Sequence, residues 1–292
     1  MFKGTFTALV TPFNSSGSID YGCLKALIAE QIARGVEGIV PVGTTGESPT
    51  LNVEEHLKVI EVSVQAAARS IKVIAGTGAN STDEALELTR EAKNLGVDAT
   101  LQVTPYYNKP SQEGLYRHFS AVADLGLPVV LYNIPGRSGR EIALDTVTRL
   151  AKHPHIIAIK EAGGDINRVS EMRLTCPQLD ILSGDDSLTL PMMSVGACGV
   201  ISVVSNVIPA EVSDMVRAAL AGDFAKACAL HLQWFALFRD LFIDTSPIPV
   251  KYAMARLGKI EETYRLPLCE TSEKNKGILD ATLQALGLKG SR

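Results

Sequence analysis

Lys160 closes the apolar run Ile156-Ile157-Ala158-Ile159 and is followed at once by Glu161-Ala162-Gly163-Gly164. A short apolar, mostly β-branched run before a glycine-rich turn reads as a buried strand. A lysine at that point stands where the strand leaves its sheet. Burial disfavours the charged form of an amine, and a neutral amine can attack a ketone to form a Schiff base. The residue therefore points to carbonyl chemistry. The plainer alternative is a lysine whose stem lies along the strand while its ammonium reaches water.

Other apolar runs also end in residues with chemical potential. Gly43-Thr44-Thr45-Gly46-Glu47-Ser48 offers two hydroxyls and free amides, suited to a carboxylate. No GK[ST] follows, so it is not a phosphate loop of the Walker kind. Tyr132-Asn133-Ile134-Pro135-Gly136-Arg137 offers a phenol that can relay protons and a guanidinium that can clamp a carboxylate; a surface arginine is the alternative. Thr104-Pro105-Tyr106-Tyr107-Asn108 brings two more phenols, which interface or core packing would equally explain. Gly76-Thr77-Gly78-Ala79-Asn80 reads as a tight turn. In Ser183-Gly184-Asp185-Asp186 the paired acids could hold a divalent metal, but helix N-capping explains them better, since no histidine accompanies them. Together these ends form an amine nucleophile, a proton relay and a carboxylate holder, with no metal set and no cofactor fingerprint beside them.

These groups must be brought together by the elements behind them. Strand patterns fall at 7–10, 38–42, 72–75, 99–103, 129–132, 156–159, 180–182 and 199–203. Amphipathic helical patterns fall at 20–34, 53–68, 82–95, 112–123, 144–151, 166–175, 188–194 and 210–221, several after caps such as Ser81 and Ser111. Eight strands each followed by a helix predict an α/β fold of the (β/α)₈ TIM-barrel kind, with chemistry at the carboxyl ends of the strands. A doubly wound open sheet is the alternative, but the first strand ends in Thr11-Pro12-Phe13-Asn14 rather than a glycine-rich turn. Residues 1–222 form the expected barrel. Residues 223–292, with helical patterns at 223–242, 249–257 and 273–286, form a C-terminal helical extension packed on it.

The 292 residues are 46% apolar, enough for a large core, with a net charge of -4. No basic patch suits nucleic acid and no apolar run is long enough to span a bilayer. The N-terminus enters a strand pattern directly, unlike a signal peptide. The five cysteines are scattered without a CxxC, which fits reduced thiols in a cytoplasm. His153 and His155 lie before the Lys160 strand, at the end expected to be away from the chemistry.

Gly43-Thr44-Thr45-Gly46-Glu47, Tyr132-Asn133-Ile134-Pro135-Gly136-Arg137 and Ile159-Lys160-Glu161-Ala162 closely resemble motifs of the dihydrodipicolinate synthase family. That family belongs to the pyruvate-dependent class I aldolases, which include N-acetylneuraminate lyase. The resemblance runs from about Gly4 to the C-terminal helices. It implies that Lys160 condenses with pyruvate and that no other cofactor is needed. It implies that Tyr132 relays protons and that Thr44 links Tyr132 to Tyr107 of a neighbouring subunit. Thr45 would hold the pyruvate carboxylate, and Arg137 the carboxylate of L-aspartate 4-semialdehyde. Gly184 and Ile201 would line the lysine. The implied assembly is a homo-oligomer, a tetramer built from tight dimers, and the implied route is that of diaminopimelate and lysine. Arg137 and the threonine pair set this chain apart from the sialic acid lyases. A sugar-acid aldolase or dehydratase, a metal-dependent aldolase using Asp185 and Asp186, and a non-catalytic barrel are the other readings. Some members bind L-lysine at a subunit interface, and Ser48, Leu51, His56, Asn80, Glu84 and Tyr106 match that effector site. Val53 and Pro49 depart from it, where sensitive relatives often carry a histidine and a small residue.

Overall fold

The apolar runs form strands because their residues are buried on both faces, as a parallel sheet covered by helices requires. In the computed structural model, which describes residues 2–290, eight strands close into a parallel barrel in chain order. They are β1 (Gly4–Ala8), β2 (Gly38–Val40), β3 (Lys72–Gly76), β4 (Ala99–Val103), β5 (Val129–Asn133), β6 (Ile156–Glu161), β7 (Asp180–Ser183) and β8 (Gly199–Ser202). The barrel shuts where β1 pairs with β8, with Phe6 beside Ile201. The open-sheet alternative is thereby excluded.

The helices are α1 (Tyr21–Ala33), α2 (Val53–Ala67), α3 (Thr82–Leu95), α4 (Gln112–Ala123), α5 (Pro135–Ser138), α6 (Leu144–Leu150), α7 (Ile166–Thr175), α8 (Thr189–Ser194), α9 (Pro209–Leu220), α10 (Phe224–Asp240), α11 (Ile248–Arg256) and α12 (Glu273–Ala285). Among the described residues no helix is long and apolar enough to cross a membrane.

Several boundaries move for physical reasons. β1 starts earlier than its apolar pattern, because Gly4 turns at φ 102° and its amide donates to Cys198 O at 3.0 Å. β2 stops at Val40, because Pro41 has no N–H to give and Val42 adopts φ 49°. Ser111 caps α4 by accepting from Gly114 N at 3.1 Å, but Ser81 makes no side-chain cap bond to α3. α5 is a short helix where the sequence suggests only a loop; Pro135 starts it and Gly139 ends it at φ 71°.

α10 lies against α9 and α12, burying Ala227, Leu237 and Phe238. α11 is buried along most of its length, from Ile248 to Met254, and that includes a lysine, Lys251.

His118, on α4, shows what this burial does to a titratable group. Its Nδ1 meets Thr82 Oγ1 at 3.0 Å, its Nε2 has no partner, and burial pushes the imidazole down to about 4. The unfolded chain takes up that proton near pH 6.5, whereas the folded chain resists until about 4. Stability held above pH 6.5 should therefore drain away as the pH falls toward 4, by up to about 3 kcal/mol for this group. Urea unfolding at about pH 7.5 and about pH 4.5 should show a smaller acid loss for His118→Gln than for wild type. Equal losses would assign the acid sensitivity elsewhere.

Candidate active site

The register of the barrel sets the centre of the site. Tyr132 near the end of β5 is the Cα partner of Lys160 near the end of β6. Both side chains are buried, and Lys160 Nζ lies 4.2 Å from the centroid of the Tyr132 ring. Gly184, just past β7, borders the lysine stem. A Cβ on Gly184 would lie 3.0 Å from Lys160 Cε and 2.7 Å from the Ala162 Cβ, so only glycine leaves the lysine its path. Ile201 is fully buried on β8.

The loop after β2 carries the two threonines. It closes on itself, with Glu47 N donating to Thr44 O at 3.1 Å and Ser48 N to Gly43 O at 3.3 Å. Gly46 makes the closure possible: a Cβ there would lie 2.9 Å from Val42 N and 3.1 Å from Leu9 O. Thr45 is buried. Thr44 and Tyr132 both line a small cavity of about 30 Å³. Thr44 also lines a larger one of about 220 Å³, together with Ser48, Gly78, Tyr106, Ile134 and Arg137. Arg137, on α5, is exposed at this cavity and donates from Nη2 to Ser246 O at 2.9 Å. Thr44 is thus common to both cavities, bordered by the Tyr132 phenol in the smaller and by the Arg137 guanidinium in the larger.

Tyr107 stands apart. It is 91% exposed and held at φ 73°, so within one chain it does not join Tyr132 and Thr44. Its segment is fixed from behind, with Asn80 Nδ2 donating to Tyr106 O at 3.3 Å and Asn108 Nδ2 to Asn80 O at 2.8 Å.

A third cavity, also about 220 Å³, gathers Ser48, Leu51, His56, Glu84 and Tyr106 together with Pro49 and Val53. Asn80 does not line it and touches it only through Tyr106 O. His56 is buried rather than solvated; its Nε2 meets Gly76 O at 2.8 Å, and burial lowers its pKa. Burial raises that of Tyr106, with Glu84 adding to the shift.

The acidic pair after β7 divides its work, and neither member is the N-cap of α8, which is Leu188 with no side-chain cap bond. Asp185 Oδ1 accepts from Ser187 N at 2.8 Å and forms the turn into α8. Asp186 is no cap. It accepts from Val203 N at 2.9 Å, Val204 N at 3.2 Å and Ser202 Oγ, tying the end of β7 to the end of β8. Burial pushes its carboxyl up to about 6, against the pull of those donors. Among the described residues no three His, Cys, Asp or Glu side chains gather as a metal site.

Two polar groupings beside the site escape sequence reasoning. Asn133 and Glu161 follow Tyr132 and Lys160 on their strands, and Asn133 Nδ2 donates to Glu161 Oε1 at 2.8 Å. Glu161 also accepts from Arg168 Nε at 2.8 Å and Gly163 N at 2.7 Å. Glu47 pairs with Lys251, both buried. The sequence shows all five side chains, but the only signal was the closeness of Asn133, Glu161 and Glu47 to candidate residues, and nothing marked Arg168 or Lys251.

A closed parallel barrel with a buried lysine and a buried tyrosine at the carboxyl ends of adjacent strands has the architecture of the barrel enzymes, whose chemistry collects at that rim. The model of the Dihydrodipicolinate synthetase family matches residues 1–286. A 4-hydroxy-tetrahydrodipicolinate synthase of Thermodesulfovibrio yellowstonii is 51% identical over 290 residues, 99% of each chain. A crystal structure of the chloride-inhibited dihydrodipicolinate synthase of Acinetobacter baumannii complexed with pyruvate is 43% identical, with a TM-score of 0.97 over 99% of this chain and 100% of that one. The enzyme of Cyanidioschyzon merolae with lysine bound is 41% identical, with a TM-score of 0.95 over 98% and 99%. The chain belongs to the dihydrodipicolinate synthetase family. It is a lyase, as the enzymes of that family are.

Proposed function

We propose that this enzyme condenses pyruvate, held as a Schiff base on Lys160, with L-aspartate 4-semialdehyde, in the diaminopimelate route to lysine. The observation that carries the reading is the buried Lys160, its amine 4.2 Å from the centroid of the Tyr132 ring, with Gly184 clearing its stem. The family and its named relatives supply the substrates.

The Lys160 amine attacks the ketone carbon of pyruvate and water leaves, giving the imine. The protonated imine draws electrons from the methyl group, so a weak base such as a phenol suffices to take its proton. Tyr132 takes that proton, with Thr44 beside it in the small cavity. The enamine carbon then attacks the aldehyde, and Tyr132 returns the proton to the new alkoxide. The amine of the second substrate displaces Lys160 from the imine carbon, closing the ring. The one water lost overall is that expelled when the ketone became an imine. Thr45 holds the pyruvate carboxylate, Arg137 that of the aldehyde, and Ile201 walls the lysine.

Tyr107, exposed and in a left-handed backbone conformation, is the residue we assign to a second subunit's site, in a tetramer of tight dimers. The barrel of residues 1–222 carries the chemistry and residues 223–292 the extension. The scattered cysteines support a place in the cytoplasm. The cavity of Ser48, Leu51, His56, Glu84 and Tyr106, with Asn80 behind it, is the place where L-lysine would act as an inhibitor. Glu84 would meet its α-amino group.

Borohydride trapping with pyruvate, peptide mapping and a coupled assay with the aldehyde test the reading together. The expected result is an adduct on Lys160 and turnover. Arg137→Ala should keep the adduct and lower kcat/KM for the aldehyde roughly tenfold to a hundredfold, the worth of a hydrogen-bonded charge. An adduct without turnover would shift the substrate to a sugar acid, and no adduct would end the Schiff-base reading.

A further inference from the structure

Glu47 sits directly after Gly46 in the loop that carries Thr44 and Thr45, and its amide donates to Thr44 O. Its backbone is left-handed, at φ 55°. A residue with a Cβ stays in that region only when its surroundings hold it there. Locally the Glu47 carbonyl accepts from Thr50 N at 2.9 Å, while its side chain is tied far away in the chain. Glu47 Oε1 accepts from Lys251 Nζ at 2.5 Å, across a separation of 204 residues, and neither side chain has any exposed surface. The ammonium is enclosed by aromatic faces, 4.3 Å from the Phe13 centroid and 5.4 Å from that of Tyr264. Burial lowers the Lys251 pKa and Glu47 opposes that.

Stability alone is a poor reason for such a pair. A buried ion pair is often no more stable than apolar side chains of the same volume, whereas either partner alone is strongly disfavoured. What the pair supplies is a fixed position. The chain just upstream of Lys251 does the same for the other substrate: Ser246 O accepts from Arg137 Nη2 at 2.9 Å. One stretch of the C-terminal extension therefore touches both the threonine loop and the arginine.

We propose that Glu47 and Lys251 are positioning residues, whose buried ion pair sets the loop so that Thr44 and Thr45 meet pyruvate, while Ser246 in the same stretch steadies Arg137. This rests on the reading of the loop as the pyruvate carboxylate site. Lys251 touches no reacting atom, so its effect passes through Glu47. The extension is then part of the active-site apparatus rather than a cover for the barrel.

The test uses Glu47→Gln, Lys251→Met and the two combined, in the full-length enzyme. The readouts are KM for pyruvate, the extent of borohydride-trapped adduct at saturating pyruvate, and the melting temperature. A misplaced loop should lower kcat/KM for pyruvate on the order of tenfold to a hundredfold. Most of that should fall on KM, with the adduct on Lys160 still complete at saturation. Should a single variant fail to fold, the double variant, which leaves no lone buried charge, still answers the question. A lower melting temperature with wild-type KM for pyruvate in the folded variants would mean a structural role only and would overturn the proposal. If wild type itself forms no adduct, the underlying function falls, and this inference with it. A normal wild-type adduct with unmoved variant KM removes this inference alone.

Discussion

Lys160→Ala should form no trapped adduct with pyruvate and should lose at least on the order of 10⁴-fold in kcat/KM, because it removes the nucleophile rather than an aid to it. The loss should appear without unfolding. Truncation at Lys160 leaves Tyr132, Gly184 and the β5–β6 register in place, and it opens space beside a glycine rather than in the apolar core. Another amine cannot simply substitute. Lys251 is also buried, but its Nζ is committed to Glu47 between two aromatic rings. The measurement is intact mass after borohydride, with circular dichroism to show the fold. An adduct of wild-type stoichiometry on the variant would remove Lys160 from the chemistry.

The architecture was legible because it is repetitive. Each parallel strand is buried on both faces and so shows as an apolar run, and each helix shows its own period. The candidate site was legible for a related reason: in a barrel, strand ends collect at one rim, so residues far apart in sequence could be assigned to one place. What escaped is what no period encodes. Nothing local to Lys251 says that its ammonium meets Glu47, or that Ser246 O meets Arg137. Nor did Ser81 reveal that it would leave α3 uncapped, or Asp186 that it would bridge β7 to β8 rather than cap a helix. Tyr107 marks another limit. Its exposure and its left-handed backbone are visible only in the structure.

Glu161→Ala should lower stability by about 3–5 kcal/mol, the range for stranding one member of a buried ion pair. In a chain of this size that is a fall of roughly 10 °C in melting temperature. Arg168→Met should cost less, and the reason is the unequal state of the partner left behind. Without Glu161, three donors lose their acceptor at once: Asn133 Nδ2, Gly163 N and Arg168 Nε. Arg168 then keeps only Ile142 O close by and the half-exposed Glu141 at 3.8 Å. Without Arg168, Glu161 still accepts from Asn133 and Gly163, so its charge remains hydrogen-bonded. Urea unfolding of both variants decides the matter. A Glu161→Ala loss no larger than that of Arg168→Met would mean that the arginine, not the carboxylate, organises the group. The same network bears on catalysis through chain geometry. Asn133 and Glu161 are the next residues after Tyr132 and Lys160, and the Asn133–Glu161 bond clasps the two strand ends together. Loosening that clasp should slow adduct formation in Glu161→Ala even at temperatures where the protein is fully folded. A stable fold with a wild-type trapping rate would show that the β5–β6 ladder alone sets the distance between phenol and amine.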